Sequence, residues 1–305
     1  MEAPLYALLT LAVWLLLSIS SASAGARFRV ATYNVENYLD EPTQTRTAKS
    51  AESKSKVQES IIALKPDLLC LQEMGNLSAL QGLRSALNSK GLDFPYWELV
   101  TGSDTNGHIA ILSKFPFAAQ RSRTNDHFLL RGRRFRVSRG FGEVDVQPAP
   151  NYRFTLIAAH LKSKRPVPQA DEGELRIEEA KLLREEIDAR FEANPSINLI
   201  VLGDLNDSKD SPSTKTVLGR GKHKLIDTRP SEQNPEPGDS AEERNVAWTH
   251  FFAKDDSYSR IDYILLSPGM AREWLKEGTR VLSIPGWGLG SDHRPLVAEF
   301  EAEDK

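Results

Sequence analysis

The sequence predicts an α/β protein built on two packed β-sheets covered by helices. Three observations predict it. Short apolar, β-branched runs recur along the chain, as at Leu199–Leu202 and His108–Ser113. Only a few stretches carry a helical period between them. No repeat, low-complexity tract or linker divides the 305 residues, a length that one large domain or two small ones can fill.

The first 24 residues are set aside. Leu5–Ile19 is a compact apolar run, followed by Ser/Ala residues and an Ala22-Ser23-Ala24 cleavage pattern. Residues 1–24 therefore read as a secretory signal peptide. The leading segment departs from the pattern, carrying Glu2 and no Lys or Arg. The alternative is an uncleaved membrane anchor, though the run is short for a spanning helix. No later segment could span a bilayer. The expected mature chain, 25–305, is secreted or periplasmic, without stable membrane association.

Arg27–Val35 is a strand, with Phe28 and Val30 on one face and Asn34 near its end. After a polar stretch, Val57, Ile61, Ile62 and Leu64 mark an amphipathic helix stopped by Pro66. Asp67–Glu73 is a second strand, ending in Glu73. Its Cys70, the only cysteine, reads as a small buried hydrophobe, so no intramolecular disulfide is available. Asn76-Leu-Ser78 is a glycosylation sequon that matters only in a eukaryotic secretory pathway. Leu77–Leu87 has a helical period and His108–Ser113 is another buried strand.

Arg121–Arg139 holds seven arginines against one acid, Asp126. The planar guanidinium fork suits phosphate. The stretch reads as a groove or hairpin for a nucleic-acid backbone, with Arg139 a candidate phosphate contact. A charged, solvated hairpin edge is the other reading. Lys162, Lys164 and Arg165 follow the next strand, Phe154–Leu161, and could extend the patch. Glu172–Ala193 is the clearest helix, with Leu175, Ala180, Leu183, Ile187 and Phe191 on one stripe, and reads as packing rather than chemistry. Residues 207–244 read as loop. Trp248, Phe251 and Phe252 read as core. Trp287, on a glycine-rich loop, could stack on a base, touch a lipid or pack as a cap.

Six strand segments end in or carry polar groups: Asn34, Glu73, His160, the pair Asp204 and Asn206, Asp262, and Asp292-His293 before the last strand, Leu296–Phe300. Period two puts Asp204 and Asn206 on one side, and Gly203 allows a close backbone approach. An Asx turn would use the same two residues. Charged groups at buried strands are costly unless paired or metal-bound. One shared site explains all six.

These segments also carry a resemblance. Thr-Tyr-Asn-Val-Glu-Asn-Tyr (32–38), Leu-Gln-Glu (71–73), Ala-His-Leu-Lys-Ser-Lys (159–164), Gly-Asp-Leu-Asn-Asp (203–207), Arg-Ile-Asp-Tyr-Ile-Leu (260–265) and Ser-Asp-His-Arg-Pro-Leu (291–296) resemble, in order, the motifs of the endonuclease/exonuclease/phosphatase superfamily. These are the DNase I-like metallophosphodiesterases. The resemblance spans about residues 27–301 and implies a four-layer sandwich of two mixed sheets flanked by helices. It implies Glu73 as the main ligand of Mg²⁺ (Mn²⁺ or Ca²⁺ as alternatives), with Asn34 and Asp292 beside it. It implies Asp204 to orient or deprotonate the attacking water, Asn206 to hold a phosphate oxygen, and His293 oriented by Asp262. His160 would stabilise the transition state or protonate the leaving group. One departure concerns the glutamate that partners this histidine in DNase I. Residues 101–110 contain none, leaving Asp104 or Asn106 as substitutes.

The sequence shows no Cys/His zinc-type cluster by spacing, and its net charge of −3 does not itself announce a polyanion partner. The function expected is an exported nuclease acting on DNA or RNA. The alternatives are a lipid or small-molecule phosphodiesterase or phosphatase, and a non-catalytic module on the same fold. No protein partner is evident.

Overall fold

The computed structural model describes residues 26–105, 107–232 and 246–305. The expected signal peptide, 1–24, and Asn106 lie outside them. In chain order the elements are β1 (Arg27–Tyr38), α1 (Ala51–Leu64), β2 (Leu68–Met74), α2 (Leu77–Asn88), β3 (Tyr96–Val100), β4 (His108–Ser113), β5 (Phe117–Gln120), β6 (His127–Leu130), β7 (Arg133–Arg136), β8 (Phe141–Ala149), β9 (Tyr152–His160), α3 (Glu172–Ala193), β10 (Leu199–Asp204), α4 (Pro212–Leu218), β11 (Ile226–Asp227), β12 (His250–Phe252), β13 (Ser257–Ser259), β14 (Asp262–Leu266), β15 (Trp274–Val281) and β16 (Leu296–Glu301).

Two mixed six-stranded sheets form, in the orders β15-β16-β1-β2-β4-β3 and β11-β14-β10-β9-β8-β5. Each has one parallel pair at its centre, β1 with β2 and β9 with β10. The alternation expected of β1 decides the layering. Phe28 and Val30 face inward and meet Phe154, Leu156, Ile200, Leu202 and Ile264 of the opposite sheet. Phe28 stacks on Phe154 and Phe300, with ring centroids 5.1 and 5.5 Å away. Ala31 and Tyr33, one residue out of phase, face α1 and α2 through Val57, Ile61, Leu80 and Leu83. Ala180, Leu183, Ile187 and Phe191 of α3 cover Ile157, Ala159, Val201 and Leu265 on the other outer face. The result is four layers, helix–sheet–sheet–helix. Each fully buried aliphatic side chain contributes roughly 1.5–3 kcal/mol. Cys70 is buried in the inter-sheet core, and burial pushes its thiol well above the ordinary range.

The helix ends follow their local chemistry. Ser50, Asn76 and Asp171 cap α1, α2 and α3 by accepting from Ser53, Ala79 and Glu174 backbone N–H groups. α1 stops at Lys65, which takes a left-handed conformation before Pro66. The stretch after β10 is less loop-like than its prolines suggest. Pro212 sits in the first turn of α4, behind the cap Ser211, where its missing N–H costs nothing.

Two expectations are corrected. Trp248, Phe251 and Phe252 are not core: Trp248 and Phe251 are half-buried, and Phe252 is 42% exposed on the β12–β13 hairpin. Trp248 lies between Tyr258, Trp287 and the Arg294 guanidinium, which sits 3.5 Å from its ring centroid. The helix α3 does more than pack. Its Glu179, fully buried on the apolar face, accepts from the N–H groups of Ser138 and Lys162 and so holds the segments on either side of the site. Among the described residues, no helix is long and apolar enough to cross a membrane.

Candidate active site

Strand register assembles half of the site. Asp204 pairs with His160 across β10–β9 and with Asp262 across β10–β14. Three chemistry-bearing residues therefore stand side by side at the ends of three adjacent strands. Gly203 makes the pairing possible. A Cβ there would fall 2.0 Å from the Ala159 carbonyl oxygen, and its φ of +129° disfavours any side chain.

The other sheet supplies the rest through irregular backbone. β1 shifts register between Asn34 and Tyr38, and β2 between Leu71 and Met74. Glu36, Asn37, Glu73 and Asn206, all at the site, have positive φ. Bulges and left-handed residues of this kind collect where side chains must be re-aimed. The Ser291-Asp292-His293 turn is tied to β1, since Ser291 Oγ donates to the Asn34 carbonyl at 2.7 Å and accepts from His293 N.

The assembled groups form two poles around Asp204. Asn34 Nδ2 donates to Asp204 Oδ2 at 3.0 Å. His160 Nε2 lies 3.5 Å and His293 Nε2 3.9 Å from the same oxygen. His293 Nδ1 is 2.8 Å from Asp262 Oδ2. Asn206 closes an Asx turn by donating its N–H to Asp204 Oδ1 at 2.8 Å, and its amide donates to the Leu161 carbonyl. The turn expected of this motif forms, and it lies among the residues that the structure brings together.

The electrostatics separate the two histidines. Burial, followed by the charges of Arg139, His293 and Arg46, holds His160 well below the ordinary range, so it is neutral. Among the described residues, neither of its buried ring nitrogens has a hydrogen-bond partner. Burial works against the charged form of His293 too, but Asp262 overcomes it by charge and hydrogen bond, with help from Asp204 and Asp292. The imidazole is pushed up to about 10. Burial, with the neighbouring Asp262 charge, pushes Asp204 up to about 7.

Glu73 lies apart from this pair, on the β2 side. Asn34 Nδ2 is 3.5 Å from Glu73 Oε1, and Asn37 N donates to Oε2. Arg46 Nη1 also donates to Oε2, at 3.2 Å. A guanidinium thus rests on the carboxylate expected to hold a metal. The groups against Glu73 are nitrogens, so a hard divalent cation such as Mg²⁺, which takes few protein ligands and keeps its waters, fits here only with the Arg46 guanidinium displaced and the Asn34 amide turned to present its oxygen. Glu73 would hold it, with the Asn34 carbonyl beside it. Asp292 stands on the His293 side, with its Oδ1 3.9 Å from His293 Nε2.

Of the two expected substitutes for a His160 partner, Asn106 lies outside the described residues. Asp104 pairs with Arg139 Nε at 3.3 Å and Arg46 at 3.7 Å. The arginine-rich stretch does form a hairpin, β6–β7, but most of its charge is spent inside the protein. Arg121 pairs with Glu143 and Asp145, Arg123 with Asp126, and Arg131 with Glu174. Arg134 and Arg136 remain exposed on β7. Arg139 is buried and donates to the Leu161 carbonyl. The Lys162 ammonium folds back on the carbonyls of Ser163 and Arg165, and Lys164 is exposed.

Two site residues escaped the sequence. Arg46 lies in a polar stretch with no period. His250 lies in an aromatic run that reads as core, yet its ring packs 4.5 Å from that of His293. An isolated backbone bridge between the two residues brings them together.

Comparison with known proteins agrees with this geometry. The chain is similar to sphingomyelinase C from Streptomyces griseocarneus (TM-score 0.61, 19% identity, covering 90% of this chain and 100% of that one). It is similar to the human Nocturnin catalytic domain with bound sulfate anion (0.62, 18%, 91% and 95%). It also resembles truncated Caenorhabditis elegans TDP2 (0.60, 16%, 90% and 98%). At these identities the likeness establishes the fold alone. No curated protein matches the chain in sequence. The description "Endonuclease/Exonuclease/phosphatase family" matches residues 31–293, from the first site strand to the last site histidine, and the chain belongs to that family.

Proposed function

We propose that the protein is an exported, divalent-metal-dependent phosphodiesterase acting on DNA or RNA. One observation carries the reading: Asp204 lies between a neutral histidine, His160, and a protonated one, His293, within 4 Å of both. A carboxyl held near neutrality is suited to accept a proton from an attacking water. The His293 imidazolium, fixed by Asp262, can donate to a phosphoryl oxygen and return a proton to the leaving oxygen. His160 offers an N–H to the developing negative charge, and its unpaired ring nitrogens support that role. A divalent cation held by Glu73 and Asn34 would supply further charge stabilisation at the phosphoryl group. Members of the family typically depend on such a cation.

The nucleic-acid substrate rests on the exposed Arg134, Arg136 and Lys164. A second reading, a lipid phosphodiesterase, has its own support. Phe252, Tyr258 and Leu289 are 42%, 58% and 54% exposed around the hairpin that abuts His293. Residues 25–305 are to be mixed with supercoiled plasmid and with sphingomyelin vesicles, in Mg²⁺ or EDTA, beside His160→Ala. Metal-dependent nicking that the variant loses supports the nuclease. Vesicle hydrolysis without nicking replaces it with the lipid enzyme. Inactivity on both, and on a panel of small phosphodiesters, overturns the phosphodiesterase reading.

A further inference from the structure

We infer that His250, Asp292 and His293 form a second cation site, selective for a borderline transition metal such as Zn²⁺ and separate from the Glu73 carboxylate. His250 Nε2 lies 3.5 Å from Asp292 Oδ2, and His293 Nε2 lies 3.9 Å from Asp292 Oδ1. One ligand atom from each residue can be chosen so that all three lie within 4.8 Å of one another. Tetrahedral zinc with bonds of about 2.0–2.1 Å sets its ligand atoms roughly 3.3–3.4 Å apart. The cluster therefore has to contract, by at most about 1.4 Å in its widest pair, to close on the ion.

Three features argue that the site is built rather than coincidental. The backbone fixes it. His250 and His293 form an antiparallel bridge, Phe251 N donates to the Asp292 carbonyl at 2.9 Å, and Arg294 N donates to the Thr249 carbonyl. Both rings are oriented from behind. His293 Nδ1 is held by Asp262 at 2.8 Å, and His250 Nδ1 lies 3.4 Å from Ser259 Oγ, its cross-strand neighbour. This is the arrangement by which ligating histidines direct Nε2 at a metal. Access is also present, since the Asp292 side chain is 40% exposed while the two imidazoles are largely covered. Solvent can supply the fourth ligand. Two imidazoles and one carboxylate favour Zn²⁺ over Mg²⁺, which prefers oxygen alone.

Occupancy takes the Nε2 of His293 away from substrate. The proton on that nitrogen leaves to solvent as the metal–nitrogen bond forms. Zn²⁺ at this position therefore switches hydrolysis off reversibly. This inhibition rests on the phosphodiesterase reading, whereas the binding does not.

The test is Zn²⁺ calorimetry without substrate, with the visible spectrum of bound Co²⁺ as a reporter of nitrogen ligation. Wild type, Glu73→Gln, His250→Phe and His250→Gln are compared, each checked for folding by circular dichroism. Wild type and Glu73→Gln are expected to bind Zn²⁺ alike. Both His250 variants are expected to bind at least about tenfold more weakly and to lose the Co²⁺ spectrum. Binding unchanged in the folded His250 variants overturns the proposal, as does binding lost in Glu73→Gln alone. Zn²⁺ binding in a protein inactive on every phosphodiester would leave the site standing and remove only the inhibition.

Discussion

His293 Nδ1 lies 2.8 Å from Asp262 Oδ2, and both side chains are almost wholly buried. The carboxylate arrives from β14 of one sheet, and the histidine from the turn that leads into β16 of the other. The contact therefore ties the two sheets together at the site and fixes the charge of its second pole.

Asp262→Asn removes that charge and keeps the shape. We expect kcat to fall roughly 10²- to 10⁴-fold, the usual worth of a positioned acid–base group. The pH profile should move with it. In the wild type, Asp204 must lose its proton, so kcat/KM rises through about 7, and His293 must keep its proton, so it falls through about 10. The Asp262 charge raises both values, so both limbs should shift to lower pH in the variant. An unshifted profile would separate Asp262 from the site's protonation.

Glu73→Gln should weaken Mg²⁺ binding by at least about tenfold, on the order of 1.4 kcal/mol, because the carboxylate is the strongest oxygen donor of its group. Calorimetry of Mg²⁺ without substrate checks this. Arg46→Ala should act in the opposite direction, since its guanidinium rests on the same Glu73 oxygen.

Gly203→Ala should destabilise the fold by roughly 1–3 kcal/mol or more through forced left-handed geometry, with the clash against the Ala159 carbonyl added. Urea unfolding measures the loss. A neutral result would mean that β9 and β10 can separate without cost.

Glu186 lies buried on α3 beside Glu143, and burial, with that neighbouring carboxylate, pushes it up to about 9. The folded chain thus holds a proton that the unfolded chain releases near the ordinary carboxylate range. This contribution is complete at low pH and is lost as pH rises towards about 9. Glu186→Gln should therefore raise stability at pH 8 by on the order of 1 kcal/mol or more and change little at pH 4. Thermal melts at the two pH values report the difference.

The sequence by itself determined the fold and named most of the residues that the structure brings together. Phe28 and Val30 alternate with Ala31 and Tyr33 because a strand has period two, and that pattern already prescribes a sheet covered on both faces. Gly203 before Asp204 announced a close backbone approach. Tertiary structure decided which charges survive at the surface. Arg121 looks unopposed in the chain, but its acids, Glu143 and Asp145, come from β8. It also decided that His250 meets Asp292 and His293, and that Arg46 meets Glu73. Local periodicity reports which side of an element faces the core, because neighbours in sequence share one backbone geometry. It carries no information about which distant loop end will meet another, since that contact forms only when the two sheets pack.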